Sequence, residues 1–159
     1  MAGIRDIWAF ANNIIRTSRQ LINEDLKPLG LSSAEGNILL HLLTQEHAPL
    51  QEHAPLQEHI VETLDISKPA VSRALDSLES KGYISRVQDP ADKRAKRVYL
   101  TPLARQIGPQ IEQVYSLVFS IGSQGISDDE IHQFIALFER VSASFTAARE
   151  HKTNRRNSN

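Results

Sequence analysis

Between Ser67 and Arg97 the chain places eight Lys and Arg residues against four acids, inside a protein of 159 residues whose formal net charge is −1. The flanks lean the other way: residues 1–66 carry four basic and nine acidic side chains, and residues 98–148 carry two and five. A basic island between acidic flanks suits contact with a polyanion at one place, because each Lys or Arg that meets a phosphate releases condensed counterions. Two groups of residues in the island have the matching chemistry. Ser67, Lys68, Pro69, Ala70, Ser72 and Arg73 open a helix with a serine N-cap and no carboxylate in the first turn, which leaves free N–H groups and the positive dipole end available to phosphate. Asp92, Lys93, Arg94, Lys96 and Arg97 put cations on the tip and returning strand of a hairpin. Taken alone, either group could be an ordinary solvated surface.

Other candidate chemistry is thin. His41, His47, His53 and His59 recur every six residues, but six residues advance a helix by about 240°, so successive imidazoles do not share a face for a metal. There is no cysteine, hence no disulfide, thiolate nucleophile or thiol sensor. The chain contains no G-x-S-x-G elbow, phosphate-binding glycine loop or H-E-x-x-H helix, which argues against an enzyme. No apolar run approaches the roughly 20 residues of a membrane span. The first residues do not form the apolar core of a signal peptide, so a cytoplasmic protein without membrane association is expected. Hydrophobic residues at 40% and charged residues at 23% fit one ordinary globular domain.

The elements around the island follow from periodicity. Residues 56–64 read as a short helix, Asp65 and Ile66 as a turn, and Lys68 to Lys81 as the next helix: a helix-turn-helix. On that second helix Val71, Ala74, Leu75 and Leu78 share one arc, while Pro69, Ser72, Arg73, Asp76 and Ser80 share the opposite one. The outer arc has short or hydrogen-bonding side chains with one long cation, suited to base edges in a major groove. Gly82 ends the helix; Tyr83 to Val87 and Lys96 to Leu100 read as paired strands, with Val98 and Leu100 on one face.

Apolar residues at three- and four-residue spacing make a long helix from Ile4 to Leu26, stopped by Pro28 and Gly30. Ser32 and Glu35 have capping-box spacing for a second helix through Leu43. Thr101 and Pro102 start another, punctuated by Gly122 and Gly125. Ser127 and Glu130 cap a final helix striped by Ile131, Phe134, Ile135, Phe138, Val141 and Phe145. Beyond Arg149 the polar, basic end reads as a frayed tail. The terminal helices carry more apolar surface than a small reading head can cover, so they are expected to pack together as a dimer platform, the alternative being the core of a monomer. Residues 45–59 read QEHAPL, QEHAPL, QEH, too few copies for a solenoid. Pro49 and Pro55 bar a continuous helix, leaving a lengthened connection.

The run from Asp65 to Ala104 resembles the winged helix-turn-helix core of the MarR family of bacterial transcription regulators, and the flanking helices extend the likeness over residues 4–148. Its most specific element is Asp92-x-Arg94 followed by Val98, Leu100, Thr101 and Pro102. The resemblance implies a mainly α fold with a two-stranded β-hairpin wing and long terminal dimerisation helices. It assigns residues 1–30 and 102–148 to dimerisation, 31–101 to DNA binding and 149–159 to the tail. It also implies a homodimer on a pseudo-palindromic double-stranded DNA operator, its two recognition helices about 34 Å apart. No cofactor is implied. Repression, relieved by a small aromatic or phenolic effector in a cleft between platform and head, is the implied outcome. Arg94 would enter the minor groove with Asp92 orienting the wing tip, and Ser67, Lys68, Pro69, Ala70, Ser72 and Arg73 would form the recognition surface. Trp8, Arg16, His41 and Tyr115 could line the cleft or be core or surface. An activator, or a winged-helix module for an acidic protein partner, are the competing functions. The repeat departs from the family pattern by about six residues, near the hinge between platform and head.

Overall fold

The computed structural model describes residues 3–46, 54–64 and 66–157. The elements in order are α1 (Ile4–Leu26), a 3-10 turn (Lys27–Leu29), α2 (Ser33–Glu46), α3 (Gln57–Leu64), α4 (Lys68–Ser80), β1 (Ile84–Gln88), β2 (Lys96–Leu100), α5 (Pro102–Gly122) and α6 (Asp128–Asn157). The architecture is mostly helical with one two-stranded antiparallel sheet, the expected fold class. The chain forms two compact units, Met1–Phe119 and Ser120–Asn159.

In the first unit a single core gathers Leu26 from α1, Ile38, Leu39 and Leu42 from α2, Ile60 from α3, Val71, Leu75 and Leu78 from α4, and Ile84 and Val98 from the sheet. Ala104, Ile111, Tyr115 and Val118 of α5 join it. α5, assigned to the dimerisation helices by the sequence, thus contributes residues from Ala104 to Val118 to this core. Along α1, by contrast, only Ile22 and Leu26 are buried, and Ile7, Phe10, Ile14 and Ile15 are exposed. Gly36 is required where α1 meets α2: a Cβ there would lie 2.4 Å from a Leu26 methyl and 2.9 Å from the Tyr115 hydroxyl.

Local signals set the element ends. The α2 capping box forms as expected, Ser32 N–H donating to Glu35 Oε2 at 2.7 Å and Glu35 N–H to Ser32 Oγ at 3.2 Å. At the end of α4, Gly82 takes a left-handed conformation (φ 79°) while Tyr83 N–H reaches the Leu78 carbonyl at 2.9 Å, so the last carbonyls of the helix are satisfied as the chain turns into β1. Thr101 Oγ1 donates to the Gly82 carbonyl at 2.6 Å, and Thr101 N–H donates to the Tyr83 carbonyl at 3.0 Å, closing the base of the hairpin. Strand register pairs Ile84 with Leu100, Arg86 with Val98 and Gln88 with Lys96.

Two expectations are corrected. Leu56 does not begin α3; it forms a β-bridge with Arg97, and Val98 N–H donates to the Pro55 carbonyl at 3.0 Å. Ala54 to Leu56, the end of the second hexapeptide copy, thus edge the sheet, and a proline is tolerated at the start of such an edge segment. Residues 47–53, the end of the first copy and the start of the second with His47 and His53, lie outside the described residues, as does Asp65. The chain end is not frayed from Arg149: α6 runs on to Asn157. From Ile126 onward there is no glycine or proline, and Arg155 sits in the last turn, where a cation complements the helix dipole.

In the second unit, α6 opens with the expected capping box, Ser127 N–H to Glu130 Oε2 at 2.8 Å and Glu130 N–H to Ser127 Oγ at 3.3 Å. Phe134 and Phe138 stack one turn apart with ring centroids 4.8 Å apart. Among the described residues, no helix is long and apolar enough to cross a membrane.

Candidate nucleic-acid interface

The recognition helix begins as its sequence dictates. Ser67 is the N-cap, its hydroxyl accepting from Ala70 N–H at 3.4 Å; Pro69 follows in the first turn, and no acid is present there. Val71, Ala74, Leu75 and Leu78 are buried, which turns Lys68, Pro69, Arg73 and Asp76 outward and leaves Ala70 and Ser72 half-buried at the edges of that face. The helix is therefore anchored by one arc and presents the other, with its positive end open.

The wing divides its cations into two kinds. Asp92 Oδ1 accepts from Arg94 N–H at 2.9 Å and lies 3.6 Å from Arg94 Nε, shaping the turn, while the Arg94 side chain is 95% exposed. Lys93 and Lys96 are exposed beside it. Arg97 is placed differently. Its Nε donates to buried Asp89 at 2.9 Å and its Nη1 to the Ala54 carbonyl at 2.7 Å. Its guanidinium thus clamps the wing turn to the edge segment, and of the expected wing cations it is the one directed inward.

Between α4 and the wing runs a groove of about 380 Å³ whose lining includes Lys68, Ser72, Asp76, Arg86, Arg94 and Lys96. It joins residues from both expected groups on one surface. Gln57 and Glu58 at the start of α3 also line it. Arg86 was not anticipated as part of this surface. Its guanidinium is held by Asp76 and Glu79 of α4, which keeps the Glu79 carboxyl below its usual range through the hydrogen bond from Arg86 and raises the Arg86 pKa further. A signal was available: strand alternation puts Arg86 on the face of Ile84, and a cation on an inward face requires an acid partner.

A second cavity, of about 340 Å³, lies behind the recognition helix, lined by Arg19 of α1, Ser33, Ala34 and Asn37 of α2, Leu64, Ile66, and Ser67 and Ala70 at the start of α4. None of Trp8, Arg16, His41 and Tyr115 lines it. Tyr115 is core, its hydroxyl donating to Asn37 Oδ1 at 2.5 Å and its pKa raised by burial. Arg16 donates to Asn13 on α1, His41 is half-buried with its pKa lowered by burial, and Trp8 is largely exposed.

Comparison with known proteins agrees with this geometry. Residues 29–95 match the model of the MarR family. Among solved structures, a MarR transcriptional regulator from Methanosarcina mazei Go1 superposes with a TM-score of 0.77 at 22% identity, covering 90% of this chain and 98% of that one. The transcriptional regulator PA3341 gives 0.76 at 28% identity, with coverage of 89% and 98%. A MarR family transcriptional regulator from Listeria monocytogenes, complexed with 26mer DNA, gives 0.74 at 23% identity, with coverage of 91% and 89%. Residues 29–95 are thus similar to the MarR family, and the chain shares the winged-helix fold of solved MarR-family transcription regulators.

Proposed function

We propose that this protein is a homodimeric, cytoplasmic repressor that binds a pseudo-palindromic operator and is released by a small molecule. The observation that carries the DNA-binding reading is the joint surface of α4 and the wing: an acid-free helix start, Lys68, Ser72 and Arg73 on or beside the exposed arc, and Lys93, Arg94 and Lys96 across the groove. In this reading Ser67, Lys68, Pro69, Ala70, Ser72 and Arg73 address one major groove, and Arg94, set by Asp92, enters the adjacent minor groove with Lys93 and Lys96 on phosphate. Arg97 supports the wing from inside. The exposed apolar residues of α1 and of α6, each described on its own, favour pairing of two copies through the terminal helices.

The cavity behind α4 supports the effector reading. Leu64 and Ile66 offer apolar contact, Arg19 a cation, and the starts of α2 and α4 meet there. That combination suits a small aromatic or phenolic molecule, the more so one bearing a negative charge. A guest there would act by favouring one placement of α4 over another.

Quantitative gel shift with operator and random duplex tests the reading. Arg94→Ala is expected to weaken binding to all sequences and to lower the salt slope by about one; Arg73→Ala is expected to blur the preference for operator as well. Unaltered affinity in both variants, or no duplex bound at low salt, overturns it in favour of a protein-interaction module. A reporter placed behind the operator separates repressor from activator.

A further inference from the structure

The groove between α4 and the wing carries charges of both signs. Lys68, Arg94 and Lys96 line it together with Glu58 and Asp76, and Arg86 is held there between two acids of α4. Arg86 Nη2 donates to Asp76 Oδ1 at 2.7 Å and to Glu79 Oε1 at 3.1 Å, and its Nε donates to Glu79 Oε2 at 3.1 Å. Its backbone N–H also donates to Glu79 Oε2 at 3.1 Å. The Arg86 side chain is only 12% exposed, against 64% for Asp76 and 42% for Glu79. The acids belong to α4 and the cation to β1, so this fork is a polar strut between the recognition helix and the first strand of the wing. A planar guanidinium bonded on two edges constrains angle as well as distance, which a lysine ammonium cannot do.

We infer that Arg86 is a positioning residue that fixes the span between the outer face of α4 and Arg94, so that both engage one duplex together. The inference rests on the DNA-binding reading above. Two contacts carried on one rigid body present the second at a high effective concentration once the first has formed; a loose joint between them forfeits that gain. Asp76 and Glu79, acids on a helix that faces a polyanion, are thereby accounted for: they hold the strut, and Arg86 shields their charge.

A double-mutant cycle reads this directly, with dissociation constants measured by fluorescence anisotropy on the tightest duplex selected from a randomised pool. In the native background Arg94→Ala is expected to weaken binding about tenfold, the scale of one lost charge-assisted contact. In an Arg86→Gln background the same change is expected to weaken it only about twofold, because the wing is no longer held in place. Glu79→Gln, which keeps Arg86 but replaces one of its two acceptor oxygens by a donor and removes the opposing charge, is expected to shrink the Arg94→Ala effect in the same direction, and it serves if Arg86→Gln fails to fold. A merely structural role would lower the melting temperature and leave the Arg94→Ala effect at full size in every background, overturning the inference while the DNA-binding reading stands. A direct phosphate contact by Arg86 would make Glu79→Gln bind more tightly, and that too overturns it. A native chain that binds no selected duplex removes the functional reading and this inference together.

Discussion

Lys81 Nζ lies 2.8 Å from Glu35 Oε1 and 2.8 Å from the Gly30 carbonyl oxygen, fastening the end of the recognition helix to the start of α2. Glu35 is buried and Lys81 about one-third exposed, so the pair is shielded on one side only. Removing the acid leaves a partly desolvated ammonium without its counter-ion.

Burial works to raise the Glu35 pKa, but hydrogen bonds from Lys81, Ser77 and the Ser32 N–H, with the charge of Lys81, outweigh it and leave the pKa lowered. A folded-state value below the unfolded one means that this stability is fully present above the unfolded carboxylate value. It is lost as pH falls through the folded one. Glu35→Gln is therefore expected to destabilise the protein by about 2 kcal/mol near neutrality, discounted for the exposure of Lys81. The gap to the native chain should close in acid. Urea midpoints measured across pH check this; a constant gap would contradict it.

Ser67→Asp should separate stability from binding. An aspartate is an equally good N-cap and complements the helix dipole, so melting is expected to hold or rise by about 0.5 kcal/mol. Affinity for duplex DNA is expected to fall, because the new charge stands where phosphate would approach. Paired thermal melts and anisotropy titrations give the two signs.

Arg94 and Arg97, three residues apart, are expected to fail in opposite ways. Arg94→Ala removes a nearly fully exposed side chain and should leave unfolding unchanged while DNA affinity drops. Arg97→Ala strands buried Asp89 and frees the Ala54 carbonyl, with a stability loss of about 2 kcal/mol. Amide exchange at Val98, whose N–H donates to Pro55, should quicken in the second variant alone.

Gly36→Ala is expected to destabilise by about 1–3 kcal/mol, since its methyl would overlap a Leu26 methyl in a filled core. Chemical denaturation measures this, and Gly122→Ala, with nothing within 4 Å of the added carbon, is the control.

Deleting residues 51–56 restores one HAPL directly before Gln57, the same local sequence that now pairs with β2. Stability is expected to stay within about 1 kcal/mol, because loop closure depends only weakly on length, and duplex affinity should be unchanged. A shift in affinity beyond about threefold would show that the repeat sets the placement of the head.

Much of this surface was legible before the structure. The inner arc of α4, the Ser67 cap and the inward pair Val98 and Leu100 follow from local periodicity and capping chemistry, which depend on neighbours a few residues apart, while the Asp92 to Arg94 turn is what the family resemblance implies. What escaped was the choice among cations. Nothing near Arg97 in sequence distinguishes it from Arg94 until the strand faces place Asp89 beside it, and Asp76 and Glu79 read as solvated acids until β1 brings Arg86 across. The cavity behind α4 draws its walls from α1, α2, the segment ending α3 and the start of α4, a coincidence of positions that only tertiary packing creates. The reach of α6 to Asn157 does not show in a polar composition, which reads as fraying, although the segment contains no helix breaker.

The bare backbone at Gly36 lets a leucine of the first helix and a tyrosine of the fifth press on the second helix with nothing compressible between them. Three rods seated so tightly move as a linkage. That contact lies beside Glu35, one ion pair away from the helix proposed to read the duplex.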